Sequence, residues 1–182
     1  MKIIRYVYKN ENNYGILEGE KVYKLKGNIF SDFSIGEKVA KLKDISLLPP
    51  VSPPNIIAIG LNYKKHAEES GSELPAKPLI FIKSTSSLAG PEDEIVLPKP
   101  APNEVDFEAE LAVIIGKKAK NVKEEEALDY VLGYTCANDV SARDCQKRLD
   151  KQWARGKSFD TFCPTGPWIE TDIDAQNLKI SS

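Results

Sequence analysis

The sequence is poor in sulfur and almost without imidazole. One histidine, His66, accompanies three cysteines, Cys136, Cys145 and Cys163, none of which forms a C-x-x-C pair. That set argues against zinc sites of the Cys/His kind, and an odd cysteine in any disulfide scheme suits a reducing compartment. No sign of charge dominates: 25 basic residues face 27 acidic ones, for a net charge of -2. The lysines are dispersed among acids and form no basic stripe, so a nucleic-acid partner is not expected. No apolar run approaches the length of about 20 residues that spans a bilayer, and Met1-Lys-Ile-Ile-Arg-Tyr6 lacks a signal peptide's hydrophobic centre. A cytoplasmic protein without membrane association is the expectation. There is no internal repeat and no low-complexity segment.

What the chain does have, at 182 residues, is enough length for one sizeable core and a small appended unit. Ile3 to Tyr8, Tyr14 to Leu17 and Val22 to Leu25, separated by polar turns, read as a small β-meander. The weakly patterned stretch from Phe30 to Leu48 suggests a short helix near Gly36 to Leu42. Pro49-Pro50 and Pro53-Pro54 interrupt regular structure, so residues 1–50 are expected to form a small β-rich unit and residues 51–182 a catalytic domain.

Asn55-Ile-Ile-Ala-Ile-Gly60 has strand length. Between Asn62, a good N-cap, and Gly71, a good stop, there is room for about two helical turns. On that helix His66 and Glu69 lie three apart and share a face. A carboxylate beside an imidazole raises its pKa and fixes its tautomer, as a general base requires, although an incidental surface pair has the same spacing. Pro78-Leu-Ile-Phe-Ile-Lys83 is a second apolar strand, and Lys83 at its end is a candidate substrate contact.

The most informative stretch is Val105-Asp-Phe-Glu-Ala-Glu-Leu-Ala-Val-Ile-Ile-Gly116. As a strand it sets Asp106, Glu108, Glu110 and Ala112 on one face, and Phe107, Ala109, Leu111, Val113 and Ile115 on the other, predicted to be core. Carboxylates about 7 Å apart along a strand disfavour joint ionisation in a partly buried site. Water, basic side chains or a hard cation such as Mg²⁺, Mn²⁺ or Ca²⁺ would offset that. A half-exposed strand facing water carries the same alternation. Val122 to Val131 reads as an amphipathic helix with a solvated acidic face, and Tyr134-Thr-Cys-Ala137 as a strand. Asp139 sits where that strand gives way to a helix expected over Ser141 to Arg148, on which Arg143 and Gln146 are neighbours. Gly156-Lys157-Ser158 is not a phosphate loop: position 151 holds a lysine, and no helix starts after it.

Four stretches together resemble the fumarylacetoacetate hydrolase family, its 2-hydroxyhepta-2,4-diene-1,7-dioate isomerase-like members included. They are Ile59-Gly-Leu-Asn-Tyr-Lys-Lys-His-Ala-Glu-Glu69, Val105 to Gly116, Gly133-Tyr-Thr-Cys-Ala-Asn-Asp-Val-Ser-Ala-Arg-Asp-Cys-Gln146, and Gly156-Lys-Ser-Phe-Asp-Thr-Phe-Cys-Pro-Thr-Gly-Pro-Trp168. The resemblance implies a mainly β fold with short helices (α+β), a mixed β-sandwich roll preceded by the meander. It implies that Glu108, Glu110 and Asp139 hold Mg²⁺ or Mn²⁺, that His66 and Glu69 form a catalytic dyad with Lys157, and that Arg143 and Gln146 lie near the substrate. The implied chemistry is hydrolysis of a C–C bond in a small 2-oxo acid, or related isomerase and decarboxylase reactions, usually in a homodimer. Family members continue for several more strands beyond the point where this sequence stops. That departure leaves a second expectation, a non-catalytic binding or assembly subunit whose sheet a partner chain completes.

Overall fold

The computed structural model describes residues 1–69 and 71–181; the side chain of His66 lies outside the described residues. Strands β1 (Lys2–Tyr8), β2 (Glu11–Glu18), β3 (Lys21–Gly27) and β4 (Phe33–Lys41) form the expected meander, extended by one strand. Successive side chains on a strand point to opposite faces, and both Ile3 and Ile4 of β1 are fully buried. Ile3 joins a cluster with Ile16, Ile114 and Ile169, and Ile4 one with Tyr6, Leu17 and Val22. β1 is therefore covered on both faces, and each such side chain contributes about 1.5–3 kcal/mol.

The expected helix near Gly36 is instead β4, paired along β3 from Gly27 opposite Phe33 to Lys21 opposite Lys41. Weak local preference yields here to cross-strand pairing. A side chain on Gly36 would crowd Lys26 and the Lys24 carbonyl.

The chain continues through β5 (Ser46–Leu47), β6 (Ile56–Gly60), α1 (Lys64–Glu69), β7 (Leu79–Lys83), β8 (Leu88–Ala89), β9 (Val105–Asp106), β10 (Ala109–Ile115), β11 (Val131–Asn138), β12 (Ser141–Ala142), α2 (Trp153–Gly156) and β13 (Cys163–Glu170). The main sheet runs β10-β11-β13-β1-β2-β3-β4, with β5 on β1 and β8 on β13. β13 pairs with β1 through Ile169 and Ile3, so the meander is hydrogen-bonded directly to the strands that carry the site. β6 with β7, and β9 with β12, form two separate antiparallel ladders. The architecture is mainly β with short helices, as the sequence implied. No helix among the described residues is long and apolar enough to cross a membrane.

Three expectations need correction. The acidic stretch is not one strand: it breaks at Phe107 and Glu108 between β9 and β10. Of its predicted core side, Phe107 (66%), Val113 and Ile115 are exposed and Ala109 and Leu111 only half-buried, whereas Ile114, from the side of Glu110 and Ala112, enters the core. β10 is the edge of the main sheet, and its one fully buried residue, Ile114, lies on the carboxylate face. Val122 to Val131 forms only a 3₁₀ segment, Glu124–Tyr130, with no buried residue; without an apolar stripe to bury, an α-helix gains little from packing. The helix expected from Ser141 begins late: Ser141 and Ala142 are the strand β12, and helical structure starts at Arg143 and continues as a π-helical turn, Cys145–Leu149.

Candidate active site

Two hydrogen bonds extend the β10–β11 ladder past its last regular pair. The Asp139 amide donates to the Glu108 carbonyl at 2.9 Å, and the Glu108 amide donates to Asn138 Oδ1 at 3.0 Å. They bring Asp139 across from Glu108, while Ala137 stands opposite Glu110. Beyond Asp139 the chain alternates. Val140 and Ala142 enter an apolar cluster with Cys145 and Phe162, which leaves Asp139 and Ser141 turned toward the carboxylates. One carboxylate oxygen each from Glu108, Glu110 and Asp139 lies within 4.8 Å of the others.

Three basic side chains meet these acids. Lys83, at the end of β7, is 2% exposed; its Nζ donates to Asp139 Oδ1 at 2.6 Å and to the backbone carbonyl of Lys157. Lys157 Nζ donates to Asp139 Oδ2 at 2.5 Å, to Ser141 Oγ at 2.7 Å and to Glu108 Oε2 at 3.1 Å. Arg143 donates through Nη1 to Glu108 Oε1 at 2.6 Å and through Nε to Asp106 Oδ2 at 2.7 Å. The same Nη1 reaches Gln146 Oε1 at 3.0 Å.

Lys157 is placed by close packing. Gly60 of β6 lies against the Trp153 ring, where a Cβ would collide, and Trp153 stacks edge-on to Phe81 of β7 at 5.9 Å between centroids. A Cβ on Gly156 would come within 2.9 Å of the Ala142 carbonyl. α2 is thus wedged between the β6–β7 hairpin and β12, and Lys157 leaves its end toward the acids.

The electrostatics divide the two glutamates. Burial alone would raise the Glu108 carboxyl, but Lys157 and Arg143 outweigh it and hold the group below the usual carboxylate range. Glu110 is pushed up to about 7, first by burial, then by the charges of Asp139 and Glu108. No hydrogen bond to its carboxylate is found among the described residues, so its negative charge is under-compensated. A cleft of about 460 Å³ opens beside Glu110, Asp139 and Lys83. Cys163 also borders it, but burial pushes its thiol up and keeps it protonated.

The donor set fits a hard divalent ion. It offers oxygen only, and Mg²⁺ ligands at about 2.0–2.1 Å stand up to roughly 4.2 Å apart across the ion. Three carboxylates already within 4.8 Å need only a small inward movement.

Of the residues singled out in the sequence, Lys83, Glu108, Glu110, Asp139, Arg143, Gln146 and Lys157 converge on one site. Lys83 touches Asp139 and the Lys157 backbone, deep beneath the cleft. Glu69 is exposed on α1, with no hydrogen bond or ion pair to the cluster among the described residues. The His66 half of the dyad lies outside the described residues. Sequence reasoning missed Ser141 and Tyr63. The Tyr63 hydroxyl accepts the Leu111 amide at 3.0 Å and ties the start of α1 to β10. Ser141 had a signal, its place two residues after Asp139; Tyr63 had none.

Comparison with known proteins decides the family. Residues 55–181 match the family described as fumarylacetoacetate (FAA) hydrolase, C-terminal. The chain belongs to the fumarylacetoacetate hydrolase family. Residues 1–50 match a second family, described as Rv2993c-like, N-terminal. Among curated relatives in the fumarylacetoacetate hydrolase family, the mitochondrial oxaloacetate tautomerase of Rattus norvegicus is 50% identical over 141 residues, which are 75% of this chain and 45% of that protein. The chain thus spans less than half of that relative. The solved structure of a 2-hydroxyhepta-2,4-diene-1,7-dioate isomerase from Mycobacterium marinum superposes with a TM-score of 0.84 at 38% identity, covering 96% of this chain and 67% of its own. A maleylpyruvate hydrolase from a Sphingobium species, solved with manganese (II) and pyruvate, superposes with a TM-score of 0.70 at 29% identity, covering 94% of this chain and 67% of that one. These fumarylacetoacetate hydrolase relatives are named as enzymes, and one of them holds manganese.

Proposed function

We propose that this chain carries the metal-holding part of an enzyme for small 2-oxo acids, acting by C–C bond hydrolysis or by related isomerase, tautomerase or decarboxylase chemistry. The observation that carries the reading is the convergence of Glu108, Glu110 and Asp139 within 4.8 Å, ringed by Lys83, Lys157 and Arg143. Those three acids would hold Mg²⁺ or Mn²⁺. When bound, such an ion supplies Lewis acidity and a template for a 2-oxo carboxylate.

The chain's own groups account for the rest. Arg143 holds Glu108 and, through Nη1, keeps Gln146 beside it. Both present polar groups to an anionic substrate. Lys157 supplies an ammonium where negative charge grows on a substrate oxygen, an effect strongest in a site that excludes water. His66 and Glu69, the dyad the resemblance implies, would supply the group that takes a proton from water or from carbon. The relatives' named reactions, on oxaloacetate and on maleylpyruvate, support 2-oxo acids as the substrate class. Acylpyruvate hydrolysis, oxaloacetate tautomerisation and oxaloacetate decarboxylation are to be assayed with Mn²⁺ and with EDTA. Turnover that needs the ion and is lost in Glu108→Ala supports the reading; metal-independent turnover, or full activity in Glu108→Ala, overturns it.

A second reading has an observation of its own. Ile57, Ile80 and Ile82 lie exposed on one face of the β6–β7 hairpin, Ile80 at 67%, and Val113 and Ile115 are exposed on the edge strand β10. Apolar faces and open edges of this kind suit a covering chain, so the chain works as part of an assembly, with a second copy or a partner that completes the sheet. Mass measurement in solution tests this: a monomer that turns over substrate at micromolar concentration contradicts it.

A further inference from the structure

The three acids are not fixed alike. Glu108 is held at its carboxylate by Arg143 and Lys157, and Asp139 by Lys83 and Lys157. No hydrogen bond to the Glu110 carboxylate is found among the described residues, so the place of this acid is set from the main chain. β10 pairs with β11 on one side, where Ala137 stands opposite Glu110, and its other side is the open edge of the main sheet. On that edge the Leu111 amide donates to the Tyr63 hydroxyl at 3.0 Å. The amide belongs to the planar, rigid peptide unit that joins Glu110 to Leu111, so the bond acts one Cα away from the Glu110 side chain.

Tyr63 is itself firmly held. Its carbonyl accepts the Ala67 amide at 3.1 Å, which closes the first turn of α1. Two residues before it, Leu61 sits in the left-handed region at φ 51°, a conformation that a branched side chain keeps only where its surroundings enforce it. Gly60 is pressed against the Trp153 ring, the same contact that places Lys157. Tyr63 is half-buried and lines the cleft beside Glu110. We propose that Tyr63 is a positioning residue: through the Leu111 amide it fixes the peptide that carries Glu110, so that this acid faces the other two. The proposal rests on the metal-binding reading above. The first turn of α1 and the metal-holding strand then move as one unit.

The test is calorimetric titration of Mn²⁺ into the purified chain, its Tyr63→Phe variant and an Ile16→Val variant. Ile16 is buried in the meander's core, and its truncation serves as a control that lowers stability without touching the site. Tyr63→Phe keeps the ring and loses the hydroxyl. It is expected to weaken Mn²⁺ binding about threefold or more, less than the roughly 10–100-fold that follows loss of a group bonded directly to a ligand. Ile16→Val is expected to bind as the parent does. Coupling is reciprocal, so saturating Mg²⁺ should slow exchange of the Leu111 amide in the parent by a similar factor, read by NMR, and should leave the faster exchange in Tyr63→Phe unchanged. Three results overturn the positioning role and leave the metal-binding reading standing: Tyr63→Phe binds Mn²⁺ as tightly as the parent, Ile16→Val loses as much affinity, or exchange at Leu111 is indifferent to Mg²⁺. If the parent binds no Mn²⁺, the metal-binding reading falls and the positioning role falls with it.

Discussion

Glu110→Gln isolates the cost of the under-compensated charge. In the folded chain the Glu110 carboxyl is pushed from 4.5 up to about 7. Below pH 4.5 the group is protonated whether the chain is folded or not, and it contributes nothing. Between 4.5 and about 7 the unfolded chain gives up its proton and the native state keeps it, so stability falls as pH rises. Above about 7 both forms are ionised and the loss is complete. Each pKa unit corresponds to about 1.36 kcal/mol, so the full loss is about 3 kcal/mol. Glutamine has nearly the same shape and no proton to lose. Urea denaturation in EDTA at a series of pH values from 4.5 to 8.5 should show Glu110→Gln matching the parent in acid and exceeding it by up to about 3 kcal/mol at the alkaline end. The other carboxylates are common to both proteins and cancel in the difference. Parallel stability curves would refute the argument, because Glu110 would then ionise in the folded chain as easily as in water.

Glu108 carries the opposite sign: its folded carboxyl lies below the ordinary value, so the stability it contributes is present at neutral pH and disappears as pH falls below about 4.5. Arg143→Ala should weaken that acid-side dependence, measured by the same denaturation series. Lys83→Met leaves the Asp139 carboxylate buried with one partner removed, and should cost about 3–5 kcal/mol in metal-free denaturation. Gly60→Ala drives a methyl group into the Trp153 ring; an unfolding cost of about 1–3 kcal/mol is expected, with the Trp153 fluorescence changed as α2 shifts. Tyr63→Phe removes the acceptor of the Leu111 amide and should lower stability by about 1 kcal/mol, with faster hydrogen exchange at that amide.

The site was legible where chemistry depends on residue type and spacing. Carboxylates at alternate positions and an aspartate at a strand end singled out Glu108, Glu110 and Asp139, and Lys83 ended an apolar strand, whereas the roles of Lys157, Arg143 and Gln146 came only from the resemblance to a family. Which face of β10 turns inward was not legible, because alternation sets the two faces apart but does not say which one the sheet covers. On the expected core side Phe107, Val113 and Ile115 are exposed and Ala109 and Leu111 half-buried, while the carboxylate side runs on into Ile114 and the core. That inversion is why Glu110 is half-buried and its carboxyl so strongly raised. Lys83 looked like a residue reaching for substrate because it ends an apolar strand, but its burial beneath Asp139 depends on the approach of β7 and β11, residues distant in sequence. β4 and β12 were misjudged for a related reason. Their local patterns are weak, and pairing with β3 and β9 decides them.

The central claim is that Glu108, Glu110 and Asp139 share one divalent ion. Crystals of the chain soaked in Mn²⁺ and oxalate, with data collected at the manganese edge, test it directly. The account expects one strong anomalous peak in contact with a carboxylate oxygen of each of the three residues. A map without that peak in saturating Mn²⁺ would contradict it.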